Sequence, residues 1–291
     1  MKITAVTSFH AEKFEEYGRK MIETFDKLWP RDIKLLVYYQ GAFERLKSDR
    51  IEWVDLDTVI DMALFKAKFA KFREANGHVT LQHQGTKEVR HVWDYRFDAI
   101  RFSHKVFSIL DAVDRSRFDN QDPDILLWVD ADTFTTREID SEWLSDVLPK
   151  EHQFLTYLGR KDDHSEAGWL GFNIRHPICT KFFKQLRDVW LHGSIFTLQE
   201  WHDSYVFDWL RITAFAAYPN VFVDIAGSGA STVHPFVNSK LGERLDHLKG
   251  HIRKLMGTSS GTETINPTPE NIKGIVKDTE TLEKIEELFN G

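Results

Sequence analysis

Two periods of hydrophobic residues alternate along the first half of the chain, and the places where they switch predict its elements. Ile3 to Thr7 reads as a strand, and Ser8 stands where it would cap a helix from Ala11 to Leu28. In that helix Phe14, Tyr17, Met21, Phe25 and Leu28 keep helical spacing. Trp29-Pro30 ends it, Ile33 to Tyr39 predicts a second strand before Gly41, and a short polar helix leads to a third strand, Ile51 to Val54. Met62 to Arg73 predicts a helix, and Asn76 to Arg90, polar and rich in His, reads as a loop. Ala99, Phe102, Val106, Ile109 and Val113 then recur at three and four, with Asp98, Arg101, Lys105 and Ser108 on the adjoining stripe. Ile125 to Val129 is unbroken apolar sequence, a buried strand. Beyond it come strands at Phe154–Leu158, Trp169–Ile174 and Val221–Ile225, and helices at Ile178–Leu191 and Glu200–Arg211. Strand–helix–strand alternation implies an α/β fold, with a mostly parallel central sheet flanked by helices.

A compact domain is expected over residues 1–256, with one half at about 1–133 and the other at about 134–256. Gly257 to Glu263 is small and polar, and Pro267 and Pro269 follow, so 257–291 reads as a polar linker with a short C-terminal helix carrying Leu282, Ile285 and Phe289. The 291 residues suffice for a substantial core. No apolar run approaches the ~18 residues of a membrane span. Met1 leads directly into strand-like sequence with no signal peptide, and the single Cys179 allows neither an internal disulfide nor a cysteine-based metal site. A cytoplasmic location is the expectation. The net charge of −7 argues against extended contact with nucleic acid phosphates. Among nine Trp and 22 Phe, most belong in the core, but an exposed Trp offers a face on which a sugar ring can stack.

The buried strand at Ile125 is followed by Asp130-Ala-Asp132. Residues i and i+2 project together from a strand, and open α/β sheets bind ligands at the carboxyl ends of their strands. Two carboxylates there suit a hard divalent cation that leaves positions for water and phosphate oxygens. Asp55-Leu-Asp57 and Asp122-Pro-Asp124 share the spacing, but the first follows a run broken by Glu52 and the second lies in a polar turn. Only Asp130 and Asp132 finish a clean buried strand.

Such a strand plus Asp130-Ala-Asp132, after a β-α-β half, resembles the GT-A (Rossmann-like) glycosyltransferases, which bind a nucleotide-sugar through a divalent metal. Trp201-His202-Asp203-Ser204 is similar to the Trp-His-Asp-Glu-Ser segment of the blood-group and α1,3-galactosyltransferase family, without its Glu. His247-Leu-Lys249-Gly250-His-Ile-Arg253-Lys254 resembles the His-x-x-Gly-x-x-Lys segment of glycogenin-like enzymes, with Arg253 in the Lys register. The resemblance implies Mn2+ (or Mg2+) on Asp130, Asp132 and His247, with His234 the rival third ligand. It implies a nucleotide-sugar donor, a UDP-sugar first, whose diphosphate meets Lys249, Gly250, Arg253 and Lys254. Thr7, Ser8 and Phe9 would hold the base and ribose, and Arg101 and Lys105, one helical turn apart, would converge on a phosphate or ribose. Asp203 would face the sugar as the catalytic carboxylate, with Glu166, at the head of a glycine-punctuated stretch to Asn173, beside it. Both local likenesses are to retaining enzymes, so transfer to a hydroxyl with retention is expected. The resemblance implies that about 1–133 is the nucleotide-binding half and about 134–256 the acceptor-binding half; the expected acceptor is a glycan or another hydroxyl compound, with nucleic acid disfavoured and a modified DNA base the lesser alternative.

Two other classes compete. A sugar- or nucleotide-binding protein of the same fold would show no turnover. Phosphohydrolases of the haloacid-dehalogenase type also place Asp-x-Asp after an apolar strand, but follow it with x-Thr or x-Val, and here Thr133 precedes Phe134.

Overall fold

The structure, a computed structural model, describes residues 1–82, 89–118, 123–161, 163–227 and 234–259. In chain order its elements are β1 (Ile3–His10), α1 (Arg19–Leu28), β2 (Lys34–Gln40), β3 (Ile51–Asp55), α2 (Ile60–Phe69), β4 (His78–Gln82), β5 (Val89–Trp93), α3 (Ala99–Phe118) and β6 (Ile125–Val129). There follow β7 (Thr133–Thr135), α4 (Ser141–Val147), β8 (Leu155–Leu158), β9 (Glu166–Asn173), α5 (Cys179–Leu191), α6 (Asp203–Trp209), β10 (Phe222–Asp224), β11 (Leu245–His247) and α7 (His251–Met256).

Seven strands form the central sheet in the order β10-β8-β9-β6-β1-β2-β3. β1 runs parallel to β2 and β6, β2 to β3, and β10 to β8, while β9 is antiparallel to both of its neighbours. This is the mostly parallel sheet with flanking helices that the sequence predicts. The near-continuous apolar strands have their cause here: every residue of β6, β8 and β9 is buried, as expected of a sheet covered on both faces. One core layer packs β-sheet residues such as Val6, Leu126 and Trp128 against Phe65, Phe107, Phe182 and Trp190 of α2, α3 and α5. The other packs Ala5, Leu127 and Trp169 against Ile22, Phe25, Trp143 and Leu144 of α1 and α4. No helix among the described residues is long and apolar enough to cross a membrane.

Several expectations are corrected. Ser8 does not cap a helix, because β1 continues to His10, whose side chain accepts from the Glu12 amide. The predicted helix Ala11–Leu28 is a short 3-10 turn, a wide turn over Phe14–Gly18 and then α1. The polar helix before β3 is absent. Phe43 there packs on Phe9, Phe14, Tyr39 and Trp53, and those aromatic contacts outweigh local helix preference. The expected loop 76–90 contains β4 and β5, paired antiparallel from His78↔Trp93 to Gln82↔Val89. The alternation His78-Val-Thr-Leu-Gln82 carries the strand period, which polar content obscures. The strand predicted at Trp169–Ile174 begins earlier, so that Glu166 to Asn173 is one strand throughout. The predicted C-terminal helix lies outside the described residues.

The chain leaves β1 toward β2 on one side, while β6 lies on the other, so the β1–β6 boundary is where strand order reverses. A crevice opens at the carboxyl ends of strands flanking such a boundary. The site lies there.

Candidate active site

A cavity of about 640 Å³ opens at this point, within the range of small-molecule sites. Its wall comes from the turn after β1 (Lys13, Glu16, Tyr17), from α3 (Arg101, Phe102, Lys105), from Asp130 and Asp132 after β6, and from the start of β9 (Glu166, Ala167). His202 and Asp203 at the head of α6, His247, Lys249, Gly250 and Lys254 further along, and Trp93, Tyr95, Arg160, Asp163 and His164 also line it.

Each piece has a local cause. β6 ends at Val129, and Asp130 turns back so that its amide donates to the Gly168 carbonyl at 2.9 Å. Trp128 Nε1 donates to Asp130 Oδ1 at 2.7 Å, which fixes the carboxylate. Three residues on, β7 pairs antiparallel with β11, placing His247 opposite Thr133, and the Leu248 amide donates to the Asp132 carbonyl at 2.9 Å. His247 Nε2 thereby sits 3.1 Å from Asp132 Oδ1 and 3.9 Å from Asp130 Oδ2. Gly250, at φ +84°, gives the bend from which α7 starts.

Asp130, Glu166 and His247 converge, with one ligating atom of each within 4.8 Å of the others. Gly168 permits this. A Cβ on it would stand 3.1 Å from His247 Cε1 and 3.4 Å from both Asp130 Oδ2 and Glu166 Oε1. Hard oxygens with one imidazole suit Mn2+ or Mg2+ when substrate oxygens fill the remaining positions. Asp132 borders the cluster through His247. His234, the rival ligand, is fully buried behind it, its Nε2 3.2 Å from the His247 carbonyl oxygen, and does not line the cavity.

Each carboxylate already has a cation. Lys105 Nζ lies 2.7 Å from Asp130 and 2.7 Å from Asp203. Lys254 Nζ lies 2.8 Å from Asp132 Oδ2, and both Arg160 and Lys249 pair with Glu166 Oε2. Burial alone would neutralise Lys105, but Asp130 and Asp203 outweigh it and hold its pKa above the ordinary lysine value. Burial would likewise raise Asp132 and Glu166. His247 and Lys254 hold the first, and Lys249 and Arg160 the second, well below the usual carboxylate range. Asp130 goes the other way, pushed up by burial and by Asp132 despite Lys105, so it has the most to gain from a cation. His247 is desolvated, yet Asp132 and Glu166 raise it.

The wall carries six carboxylates (Glu16, Asp130, Asp132, Asp163, Glu166, Asp203) and six fixed cations (Lys13, Arg101, Lys105, Arg160, Lys249, Lys254). With the wall balanced, neither a bare metal nor a bare diphosphate suits it as well as the two together. On that arrival Lys249 and Lys254 are placed to shift from carboxylate to phosphate oxygens.

Of the residues expected from sequence, Arg101, Lys105, Asp130, Asp132, Glu166, Asp203, His247, Lys249, Gly250 and Lys254 share this cavity. Lys105 serves as the bridge between two carboxylates, whereas Arg101 has no carboxylate partner among the described residues. Arg253 is buried and does not line the cavity; its Nη1 donates to the Lys249 carbonyl at 3.2 Å, and Lys254 takes the inward place. Thr7 and Phe9 are buried and, with Ser8, lie outside the cavity wall. Their place beside the crevice is taken by Tyr17, over whose ring Lys254 Nζ stands at 4.7 Å from the centroid. Tyr17 reads as core in a helical pattern, so sequence offered no sign of it. Nor did it point to Arg160.

Compared by sequence, the chain matches no protein-family model and no curated protein. It is similar in structure to mouse xyloside xylosyltransferase 1 in its apo form, at 12% identity and a TM-score of 0.42 over 77% of this chain and 85% of that one. It is also similar to a glycosyltransferase involved in glycosylation of the major capsid of PBCV-1, at 9% identity and a TM-score of 0.45 over 87% of this chain and 98% of that one. Superpositions this loose carry no chemistry with them.

Proposed function

We propose that the protein is a metal-dependent glycosyltransferase of the GT-A type, moving a sugar from a nucleoside diphosphate donor to an acceptor hydroxyl with retention. The observation that carries this is the convergence of Asp130, Glu166 and His247 around Gly168, flanked by Lys249 and Lys254. Asp130, Glu166 and His247 would hold Mn2+ or Mg2+, with Asp132 beside them. When bound, the cation neutralises charge that develops on the departing diphosphate.

The chain's own residues do the rest. Lys249 and Lys254 bind the diphosphate and stabilise it as it leaves. Tyr17 and Arg101 border the donor end and orient the nucleoside. Asp203, held 2.7 Å from the Lys105 ammonium, presents a carboxylate to the cavity where the sugar would lie. A carboxylate so placed can steady positive charge at the sugar carbon or attack it, the part that transfer with retention requires. Buried Lys105 fixes Asp203 relative to Asp130 through the same ammonium group.

The test is a panel of UDP-, GDP-, CMP- and dTDP-sugars incubated with manganese or chelator, scored for nucleotide release and for thermal stabilisation. One series stabilising the protein and releasing nucleotide only with metal supports the proposal, and Asp130→Ala should abolish both signals. Stabilisation without turnover under any acceptor condition would leave a sugar-nucleotide-binding protein instead. No response to any donor would sink the proposal.

A further inference from the structure

We propose that Trp93 and Tyr95 form the acceptor subsite and that its occupant is a sugar ring, an inference that rests on the transferase reading of the same cavity. Both side chains line the cavity, and each is 51% exposed. Large aromatic rings left half in water beside a charged cleft mark a contact surface more often than chance. Trp93 ends β5 and Tyr95 opens the 3-10 turn that follows, with Asp94 between them extended (φ −134°, ψ 117°), and both line the same cavity. The platform is seated. A Cβ on Gly77 would fall 2.7 Å from Trp93 Nε1, so only a glycine there, at φ +80°, lets the indole lie against the backbone.

The cavity has a direction. From Tyr17 the contacts run through Lys254, Asp132 and His247 to Asp130, then across Lys105 to Asp203. His202 follows Asp203, its ring 5.9 Å from Tyr95 and 5.2 Å from His164. Lys254 therefore lies on one side of Asp203 and Tyr95 on the other. A diphosphate has no business at the aromatic end. A pyranose or pentose ring does: its apolar C–H face fits an aromatic face, and its hydroxyls meet Asp163 and His164 at the rim. A lipid acceptor would instead need an apolar path outward, and this rim is charged.

Of the tryptophans among the described residues only Trp93 is more than half exposed, so acrylamide quenching of tryptophan fluorescence reports on it. The probes are methyl glycosides of xylose, glucose, galactose, mannose and fucose, titrated into the full chain with UDP and manganese. At least one should protect saturably, and Tyr95→Ala should weaken that protection about tenfold while Tyr95→Phe, which keeps the ring, restores it. Trp93→Phe should remove the glycoside-protected part of the signal and leave binding visible by calorimetry. Equal glycoside affinity in wild type and Tyr95→Ala, or no protection by any glycoside, overturns the platform. Failure of the donor reading looks different: glycosides would bind through Tyr95 while no nucleoside diphosphate bound.

Discussion

Gly168→Ala probes the metal cluster with a single methyl group. The new Cβ would lie 3.1 Å from His247 Cε1 and 3.4 Å from the Asp130 and Glu166 oxygens, in the space the three ligands share. Those contacts are tight without being clashes, and the residue lies in a strand, so folding should survive. His247 must move by a few tenths of an ångström, and ligand displacements of that order cost roughly 10–100-fold in metal affinity. Ligand present at a hundredfold excess over Kd stabilises by ~2.7 kcal/mol, and after a hundredfold loss of affinity by only ~0.4 kcal/mol. At about 2–4 °C per kcal/mol for a chain of this class, the manganese–UDP shift in Tm should fall from about 5–11 °C to about 1–2 °C. Gly171→Ala is the control on the same strand. Its Cβ would fall 2.7 Å from Thr156 Oγ1, costing ~1–3 kcal/mol of stability through overpacking with the manganese shift intact. If Gly168→Ala keeps the full shift, the ion does not sit among Asp130, Glu166 and His247.

His247→Ala should weaken manganese binding measured by calorimetry, whereas His234→Ala should lower Tm and leave the metal affinity close to wild type; the reverse pattern would exchange their roles. Lys254→Met should reduce UDP affinity about tenfold, the worth of one charge-assisted contact, while Arg253→Met should reduce stability in urea and leave UDP binding alone. Lys105→Met strands Asp130 and Asp203 as buried charges and should cost ~3–5 kcal/mol in urea unfolding; a loss under ~1 kcal/mol would mean the bridge is not what holds them. Burial, helped by Lys66, pushes the His104 imidazole down to about 3. The unfolded chain therefore takes up that proton first as pH falls below ~6.5, and stability declines by up to ~1.4 kcal/mol per pH unit until the folded value is reached. His104→Gln should reduce, not abolish, the difference between urea midpoints at pH 7 and pH 5, because His234, pushed down to about 3 by burial, loses stability in the same window.

Local pattern went a long way here. The unbroken apolar run of Ile125–Val129 and the period of three and four in Ala99–Val113 are properties of neighbours, and both elements formed where they were predicted. Asp130, Asp132 and Lys105 were legible because strand end and helix stripe fix their direction. Tyr17 was not, because a wide turn replaced the regular helix over Phe14–Gly18 and rotated the ring toward the crevice. Arg253 was misplaced because a motif register assumes where a helix starts, and Gly250 starts α7 so that Lys254 faces in.

The sequence by itself determined that this is an α/β chain with a carboxylate pair at the end of a buried strand. It could do so because side-chain direction within an element follows from backbone geometry alone. Only the tertiary structure decided which distant groups join that pair. His247 reaches Asp132 across 115 residues through the β7–β11 pairing, Glu166 arrives because β9 runs antiparallel beside β6, and Gly168 leaves the gap they share. Such meetings depend on strand register over long separations, and no local period encodes which strand will be the neighbour.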